Sequence, residues 1–206
     1  MNPQLFLMVI PLLLAMVVHE VSHGYVAYKL GDNTAKFMGR LTLNPIPHID
    51  LFGTIILPAI LLISHSPLLF GWAKPVPVNF FNLRNPKKDS AIVAAAGPLS
   101  NILMAIGFSI IYHIFIFIPI PYIQQPIIVT CVYGVQLNLI FAFFNLIPIL
   151  PLDGGRILAA FLPPKWAYNF AKSEPYGMYI VIGLLFFGIF NFIYYVFVMP
   201  LSNLLL

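Results

Sequence analysis

Long apolar stretches alternate with short polar connections along most of the chain. Five apolar stretches cover residues 3–30, 49–64, 90–118, 126–148 and 176–199. A helix that crosses the roughly 30 Å hydrocarbon core of a bilayer needs about 20 residues, so only the second stretch is short. That stretch carries Gly53 and Pro58, which favours a re-entrant or strained segment. The pattern predicts a bundle of about 4–6 transmembrane helices, with a half-helix at residues 154–162.

Two connections do not have a helical pattern. Residues 36–43 partly alternate between polar and apolar side chains, which is compatible with a strand. Residues 71–79 contain Pro75 and Pro77, two positions apart, and must be extended. The predicted fold class is therefore an all-α polytopic membrane protein with short extended loop strands.

The composition agrees with a membrane protein. Hydrophobic residues make up 61% of the 206 positions and charged residues only 8%, whereas a soluble domain has about 25% charged residues. This composition excludes a soluble globular protein, a disordered chain and a nucleic-acid binder. The ten Lys and Arg do not indicate nucleic-acid binding, because they lie between apolar blocks rather than on one face. A single cysteine, Cys131, excludes an internal disulfide and a cysteine-based zinc site. We expect one membrane-embedded domain over residues 1–206.

The basic residues indicate an orientation. They occur near residues 29–40, 74–88 and 156–172, whereas the connection at 119–125 has no charge. If the stretch at 49–64 does not fully cross the membrane, all basic loops share one side. The positive-inside rule then makes that side cytoplasmic and places the N-terminus outside. If the stretch does cross, the charge is divided between the two sides and the rule loses force.

Two of the six carboxylates, Glu20 and Asp153, lie within or at the end of apolar stretches. A charge at such a position costs about 2.5–3.5 kcal/mol on insertion scales, so a partner must compensate it. Glu20 belongs to the sequence His19-Glu20-Val21-Ser22-His23, an H-E-x-x-H motif on a predicted helix. His19 and His23 then share one helix face and can bind one zinc ion, beside Glu20 as a general base for water.

Zinc in a catalytic site usually has a third protein ligand. His48, His65 and His113 are candidates, but structural or interfacial roles are the ordinary expectation for them. Asp153 is the stronger candidate, because it follows a proline-broken helix end and precedes two glycines that let the backbone turn. A helix N-cap role for Asp153 is the alternative, and both roles are compatible. His19 lies about 24 Å along the helix from Pro3, which places the site inside the bilayer near the basic side.

At these residues the sequence resembles the site-2 protease family of intramembrane zinc metalloproteases, and most closely its compact bacterial and archaeal members. Three blocks carry the resemblance: residues 19–24, the Gly97-Pro98-Leu99-Ser100-Asn101 block, and residues 145–156 with the Asp153-Gly154-Gly155 sequence. The extended residues 71–79 also resemble a loop of the compact subgroup. The PDZ or CBS domain of many relatives does not fit in this sequence.

The resemblance implies a zinc endopeptidase in which His19, His23 and Asp153 hold one zinc ion and Glu20 activates water. It implies regulated cleavage of a membrane-anchored protein in or near its transmembrane helix, in a multi-pass protein of a prokaryotic cell membrane. The active site would lie nearer the cytoplasmic side of the lipid bilayer. By the same analogy Asn101 and Asn145 bind substrate or stabilise the oxyanion. A plain helix–helix hydrogen bond is the alternative for each.

A substrate helix must unwind before its peptide bonds can be attacked, since they are hydrogen-bonded within the helix. Residues 36–43 or 74–78 are candidates to pair with the unwound segment as an added strand. The alternative for either segment, which is the more common case, is a connector that only packs at the surface. The leading alternative function is a membrane metal-binding or transport protein that uses the same ligands. The sequence has no visible repeated halves, which disfavours a transporter, and Glu20 favours hydrolysis.

Overall fold

The computed structural model describes residues 3–64 and 71–206, and the regular secondary structure within these ranges is all helical. The α-helices are α1 (Pro3–Lys29), α2 (Thr34–Phe37), α3 (Leu57–Ile63), α4 (Pro86–Ile116), α5 (Gln124–Asn145), α6 (Asp153–Phe161), α7 (Pro164–Ala171), α8 (Glu174–Phe186), α9 (Ile189–Ile193) and α10 (Met199–Leu205). Short 3-10 turns lie at Ile46–His48 and Phe80–Asn82, and π-helical turns at Leu51–Ile56 and Tyr194–Val198.

Helices α1, α4 and α5 pack against one another and form the centre of the molecule. Helices α1 and α4 are antiparallel, because His19 and His23 of α1 meet Asn101 and Val93 of α4, in reverse order. Small residues permit the close approach. The ring of Phe108 on α4, for example, occupies the space that a side chain at Gly134 of α5 would need.

Within the described ranges, three helices are long and apolar enough to cross a membrane: α1, α4 and α5. Helices α1 and α4 expose large apolar side chains such as Ile10, Leu103 and Ile110 on their outer faces, as expected for contact with lipid. The chain is therefore a polytopic, integral membrane protein of the all-α class, which confirms the predicted fold class. The part of the chain that the structure describes has three candidate spans, or four if a bent helix pair counts as one span, and the prediction is about 4–6.

The fourth candidate span is broken. The apolar stretch at 176–199 is predicted as one helix, but the structure has two helical pieces, Glu174–Phe186 and Ile189–Leu205, with a bend of 73° between them. Gly188 lies at the break with a φ of +80°, in the left-handed region that glycine adopts at little cost. The expectation of a continuous helix was wrong here, because one glycine redirects the chain.

The stretch at 49–64 forms a π-helical turn followed by α3, and its apolar helix Leu51–Leu61 is shorter than a span. The side chain of Asp50 starts it by accepting hydrogen bonds from the N–H groups of Phe52 and Gly53. Because α1 and α4 are antiparallel, the connection between them begins and ends on the same side of the molecule. This agrees with the prediction that the stretch does not fully cross the membrane.

The strand predicted at residues 36–43 is wrong. Its first residues belong to α2, and the part of the chain that the structure describes contains no strand. Asp32 accounts for the difference, because its carboxylate accepts hydrogen bonds from the N–H and hydroxyl of Thr34 and so starts a helical turn. Gly39, with a φ of +64°, ends that turn. Residues 71–79 have no regular secondary structure.

Candidate metal centre

Three side chains from two distant parts of the sequence converge in the centre of the molecule. His19 and His23 lie one turn apart on α1, and Asp153 is the first residue of α6. The Nε2 atoms of the two histidines are 3.0 Å apart, and Oδ2 of Asp153 lies 3.2 Å from one and 3.3 Å from the other. Both histidines are buried. Each residue offers one ligand atom, and these atoms all lie within 4.8 Å of one another.

The outer ring nitrogens fix the orientation of both imidazoles. Nδ1 of His19 lies 2.6 Å from Oδ1 of Asn101, and Nδ1 of His23 lies 2.7 Å from the carbonyl oxygen of Val93. Since a carbonyl oxygen can only accept, both Nδ1 atoms donate, and in the neutral rings both Nε2 atoms carry a lone pair. Two lone pairs and a carboxylate oxygen therefore face one point.

This arrangement fits a divalent cation. Oδ2 of Asp153 is buried and has no hydrogen-bond partner within the described chain, although such atoms are usually satisfied. Three electron-rich atoms this close repel one another unless a positive charge lies between them. Two imidazoles and one carboxylate are a common ligand set for zinc, with a position left for water or substrate.

The first turn of α6, just after Asp153, packs closely against the backbone of the loop that precedes it. Ideal Cβ atoms on Gly154 and Gly155 would overlap with the backbone of Leu146 and Ile149, so only glycine fits at these two positions. Asp153 is the first residue of α6, and the N-cap position before it is Leu152. The geometry thus favours the ligand interpretation of Asp153 over the N-cap alternative.

Gly97 of α4 lies directly against the two histidines. An ideal Cβ at this position would be 2.6 Å from Cε1 of both His19 and His23, and closer still to Nε2 of His23. The small residues at 94–97 allow α4 to approach α1 closely. The absence of a side chain at residue 97 makes room for both rings.

Glu20, between the two histidines, contacts the loop at residues 71–79. Its Oε2 accepts a hydrogen bond of 2.8 Å from the backbone N–H of Val76. Sequence reasoning missed this contact, because the donor is a backbone group in a distant loop.

The two asparagines predicted near the site have different surroundings. Asn101 is fully buried, and its Nδ2 donates to the carbonyl oxygen of Ala15 and to Oδ1 of Asn138 while its Oδ1 faces His19. All its polar atoms are engaged within the protein, which favours the helix–helix interpretation. Asn145 donates a hydrogen bond to the carbonyl oxygen of Phe141 within its own helix. Sequence reasoning missed Asn138, although a polar residue inside an apolar helix indicates a buried partner.

The other histidines lie outside the cluster where the structure describes them. His48 is buried, and its Nε2 donates to the carbonyl oxygen of Thr42. His113 contacts the carbonyl oxygen of Leu205 through Nε2. His65 lies outside the described residues.

Asp32 connects the loops beside the site. Its carboxylate accepts hydrogen bonds from Thr34, from the N–H of Asn79 at 2.7 Å and from the side chain of Asn82 at 3.0 Å. Burial acts to raise the pKa of Asp32, but these hydrogen bonds outweigh it and hold the pKa below its ordinary value. The group therefore remains a carboxylate at neutral pH.

Comparison with known proteins assigns the chain to a family. The family model described as "Peptidase family M50" matches residues 111–188. The protein named "Putative zinc metalloprotease YwhC" of Bacillus subtilis is 41% identical over 180 residues, which cover 86% of this chain and 78% of that protein. The chain belongs to peptidase family M50. This is the site-2 protease family, so the predicted resemblance is confirmed.

Two more distant relatives cover less of their own length. "Zinc metalloprotease MJ0392" of Methanocaldococcus jannaschii is 29% identical over 195 residues, which are 93% of this chain and 46% of that protein. "Putative zinc metalloprotease Rip2" of Mycolicibacterium smegmatis is 26% identical over 177 residues, or 84% of this chain and 64% of that protein. No solved structure matches the chain significantly. M50 is a family of metalloproteases, which agrees with the chemistry of the ligand cluster.

Proposed function

We propose that this M50 member is an intramembrane zinc endopeptidase of the H-E-x-x-H type, with residues 1–206 as one membrane-embedded catalytic domain. The observation that supports it most is the convergence of His19, His23 and Asp153 on one point, with Glu20 beside them. The names of the relatives as zinc metalloproteases support the same chemistry.

We assign one zinc ion to the site, held by His19, His23 and Asp153. When bound, zinc polarises the scissile carbonyl and makes water more acidic. The protein supplies the rest: Asn101 and the carbonyl of Val93 hold the two imidazoles with their lone pairs facing inward.

Glu20 is the general base. It takes a proton from the attacking water and delivers it to the amine that leaves when the peptide bond breaks. Because the N–H of Val76 occupies Oε2, we assign proton transfer to the other oxygen, Oε1. Asn145, near the end of α5, stays a candidate for binding the substrate backbone or the oxyanion, whereas Asn101 acts through His19.

The substrate is a membrane-anchored protein with a transmembrane helix, cleaved in or near that helix. The apolar outer faces of α1 and α4 support a site reached from lipid. Such a substrate helix has to unwind locally to expose a peptide bond, since its carbonyls are otherwise hydrogen-bonded within the helix.

We place the active site nearer the cytoplasmic side of a prokaryotic cell membrane. The antiparallel packing of α1 and α4 brings Lys29 at the end of one helix to the same side as Lys87 at the start of the other. Lys87 donates a hydrogen bond to the carbonyl of Leu162, so the basic residues after α5 lie on that side too. The positive-inside rule assigns such a side to the cytoplasm.

The experiment adds the purified protein, in detergent, to a solubilised mixture of single-span membrane proteins whose own proteases have been inactivated. New peptide termini are then mapped by mass spectrometry for the wild type and for Glu20→Gln. We expect zinc-dependent termini in or near transmembrane segments with the wild type only, while the variant retains its zinc. Equal cleavage by Glu20→Gln would remove Glu20 from the mechanism, and termini confined to soluble domains would contradict intramembrane cleavage.

A further inference from the structure

The loop at residues 71–79 presents one backbone donor to Glu20. Pro75 and Pro77 have no N–H group, so Val76 supplies the only backbone N–H between residues 75 and 77. That N–H donates to Oε2 of Glu20 over 2.8 Å. The two prolines also restrict the backbone dihedral angles on both sides of Val76. The donor is thus part of a stiff segment.

The side chain of Val76 packs against α1 at Gly24, one helical turn after Glu20. Val76 is only 6% exposed, and its Cγ1 lies 2.6 Å from the position that a Cβ on Gly24 would take. A side chain at residue 24 would overlap with the side chain of Val76, which would have to move to make room. The absence of one allows the N–H of Val76 to come within hydrogen-bond distance of Glu20.

Polar contacts hold the loop in this register on both sides of Val76. A terminal nitrogen of Arg40 donates to the carbonyl oxygens of Lys74, at 2.9 Å, and Pro75, at 3.3 Å. The N–H of Lys74 donates to the carbonyl of His48. After Val76, the N–H of Asn79 donates to Asp32. Arg40 is only 7% exposed, so its buried guanidinium group is stabilised by hydrogen bonds to two carbonyl groups of this loop.

From these contacts we infer that Arg40 and the Val76 segment position the carboxylate of Glu20 for proton transfer. The inference rests on the proposed function, because it assigns a task to the loop only if Glu20 is the general base. A general base must be held at hydrogen-bond distance from its proton, and fixing Oε2 leaves Oε1 at a defined place. Arg40 touches neither the reacting atoms nor Glu20, and is a positioning residue. The loop backbone at 74–76 is engaged within the protein, which disfavours pairing of that part with a substrate strand.

A spectroscopic experiment tests the contact without requiring activity. The chain has only two glutamates, Glu20 and Glu174, so the Glu174→Gln protein labelled with ¹³C-glutamate gives a single glutamate carboxylate band in the infrared. Replacing the Val76 amide by an ester removes the N–H and retains the side chain. We expect the band to shift in the ester protein and in Arg40→Gln, and to return toward the original frequency in Arg40→Lys. An unchanged band in both would overturn the inference.

The kinetic experiment uses as substrate a single-span membrane protein that the wild type cleaves in the mass-spectrometry experiment described under Proposed function. We expect Arg40→Gln and Gly24→Ala to lower kcat by about 10- to 100-fold, with KM and zinc content unchanged and partial recovery in Arg40→Lys. Gly107→Ala, a helical glycine with open space around it, is the control and should retain wild-type kcat. If the wild type cleaves and Glu20→Gln does not, but Arg40→Gln matches the wild type, the inference fails and the proposed function stands. If the wild type shows no zinc-dependent cleavage, the proposed function is wrong. The infrared experiment then still tests whether the loop holds the carboxylate of Glu20.

Discussion

Oδ1 of Asn101 lies 2.6 Å from Nδ1 of His19, across the contact between α4 and α1. The amide is held in turn by Ala15 and Asn138, so three helices meet in one chain of hydrogen bonds. Partners of this kind fix the ring orientation of a metal-binding histidine and make it a better ligand. In the proposed zinc site, Asn101 is therefore expected to influence how tightly the metal is bound, although it is not a ligand.

Asn101→Ala should weaken zinc binding by about 10- to 100-fold, the usual effect of losing such a partner. The cause is that the ring of His19 loses its acceptor and is free to rotate. Zinc affinity is measured by competition with a chelator, on protein whose helix content by circular dichroism matches the wild type. Ser100→Ala is the control, because the Ser100 hydroxyl contacts only the carbonyl of Gly97 in its own helix. Equal zinc affinity in Asn101→Ala and the wild type would contradict the role assigned to Asn101.

Gly97→Ala should disrupt the metal centre directly. The added Cβ would lie 2.6 Å from Cε1 of His19, and overpacking of this kind typically costs about 1–3 kcal/mol. If this cost falls on the zinc-binding arrangement, we expect zinc affinity to decrease by about 5- to 150-fold, since a tenfold change corresponds to about 1.4 kcal/mol. The measurement is zinc retained after dialysis against a graded series of chelator concentrations.

Gly107→Ala, in the same helix, is the matched control for Gly97→Ala. A Cβ at residue 107 meets nothing within 4 Å. The variant should bind zinc like the wild type and be more stable by about 0.5–1 kcal/mol, because alanine is the better helix former. If both variants lost zinc equally, close packing against the histidines would not be the cause.

Asp32 should make the stability of the protein depend on pH. Its folded pKa is lower than its ordinary value of 3.8, so its stabilising contribution is present above that value and is lost as the pH falls through the folded pKa. At neutral pH, Asp32→Asn should be less stable by about 1–3 kcal/mol, because an amide N–H₂ group would face the N–H of Asn79 or of Thr34. Thermal unfolding in detergent at a series of pH values measures this. The difference between the two proteins should shrink on acidification below about pH 4, and a constant difference would argue against the carboxylate.

The sequence was sufficient for the parts that depend on charge and helical spacing. The spacing of His19 and His23 predicts one shared face, and the cost of a carboxylate beside apolar segments singles out Asp153. The structure brings these three side chains together, while their binding of zinc stays a prediction. The bend at Gly188 and the helical turn that Asp32 starts were missed. Both depend on how the chain folds around single residues, which a hydropathy pattern does not contain. The contact between Val76 and Glu20 uses a backbone donor, which no side-chain motif can reveal.

Gly177 of α8 connects the C-terminal helices to the metal centre. A Cβ at this residue would overlap with the carbonyl oxygen of Leu150 and lie 3.0 Å from Cδ of Pro151, in the loop that leads to Asp153. Gly177→Ala should therefore displace that loop, weaken zinc binding and lower the cleavage rate, although residue 177 is not a ligand. Zinc affinity and cleavage of the same single-span substrate are the two measurements.

Gly183→Ala is the control for Gly177→Ala, because a Cβ at residue 183 of the same helix meets nothing within 4 Å. The two variants add the same methyl group to α8 and differ only in what that group meets. If Gly177→Ala retained wild-type zinc affinity, the loop would have absorbed the displacement without moving Asp153. That result would show that the position of Asp153 does not depend on the packing of the backbone between Leu146 and Asp153. If both variants lost activity equally, the effect would come from α8 itself and not from its contact with Leu150.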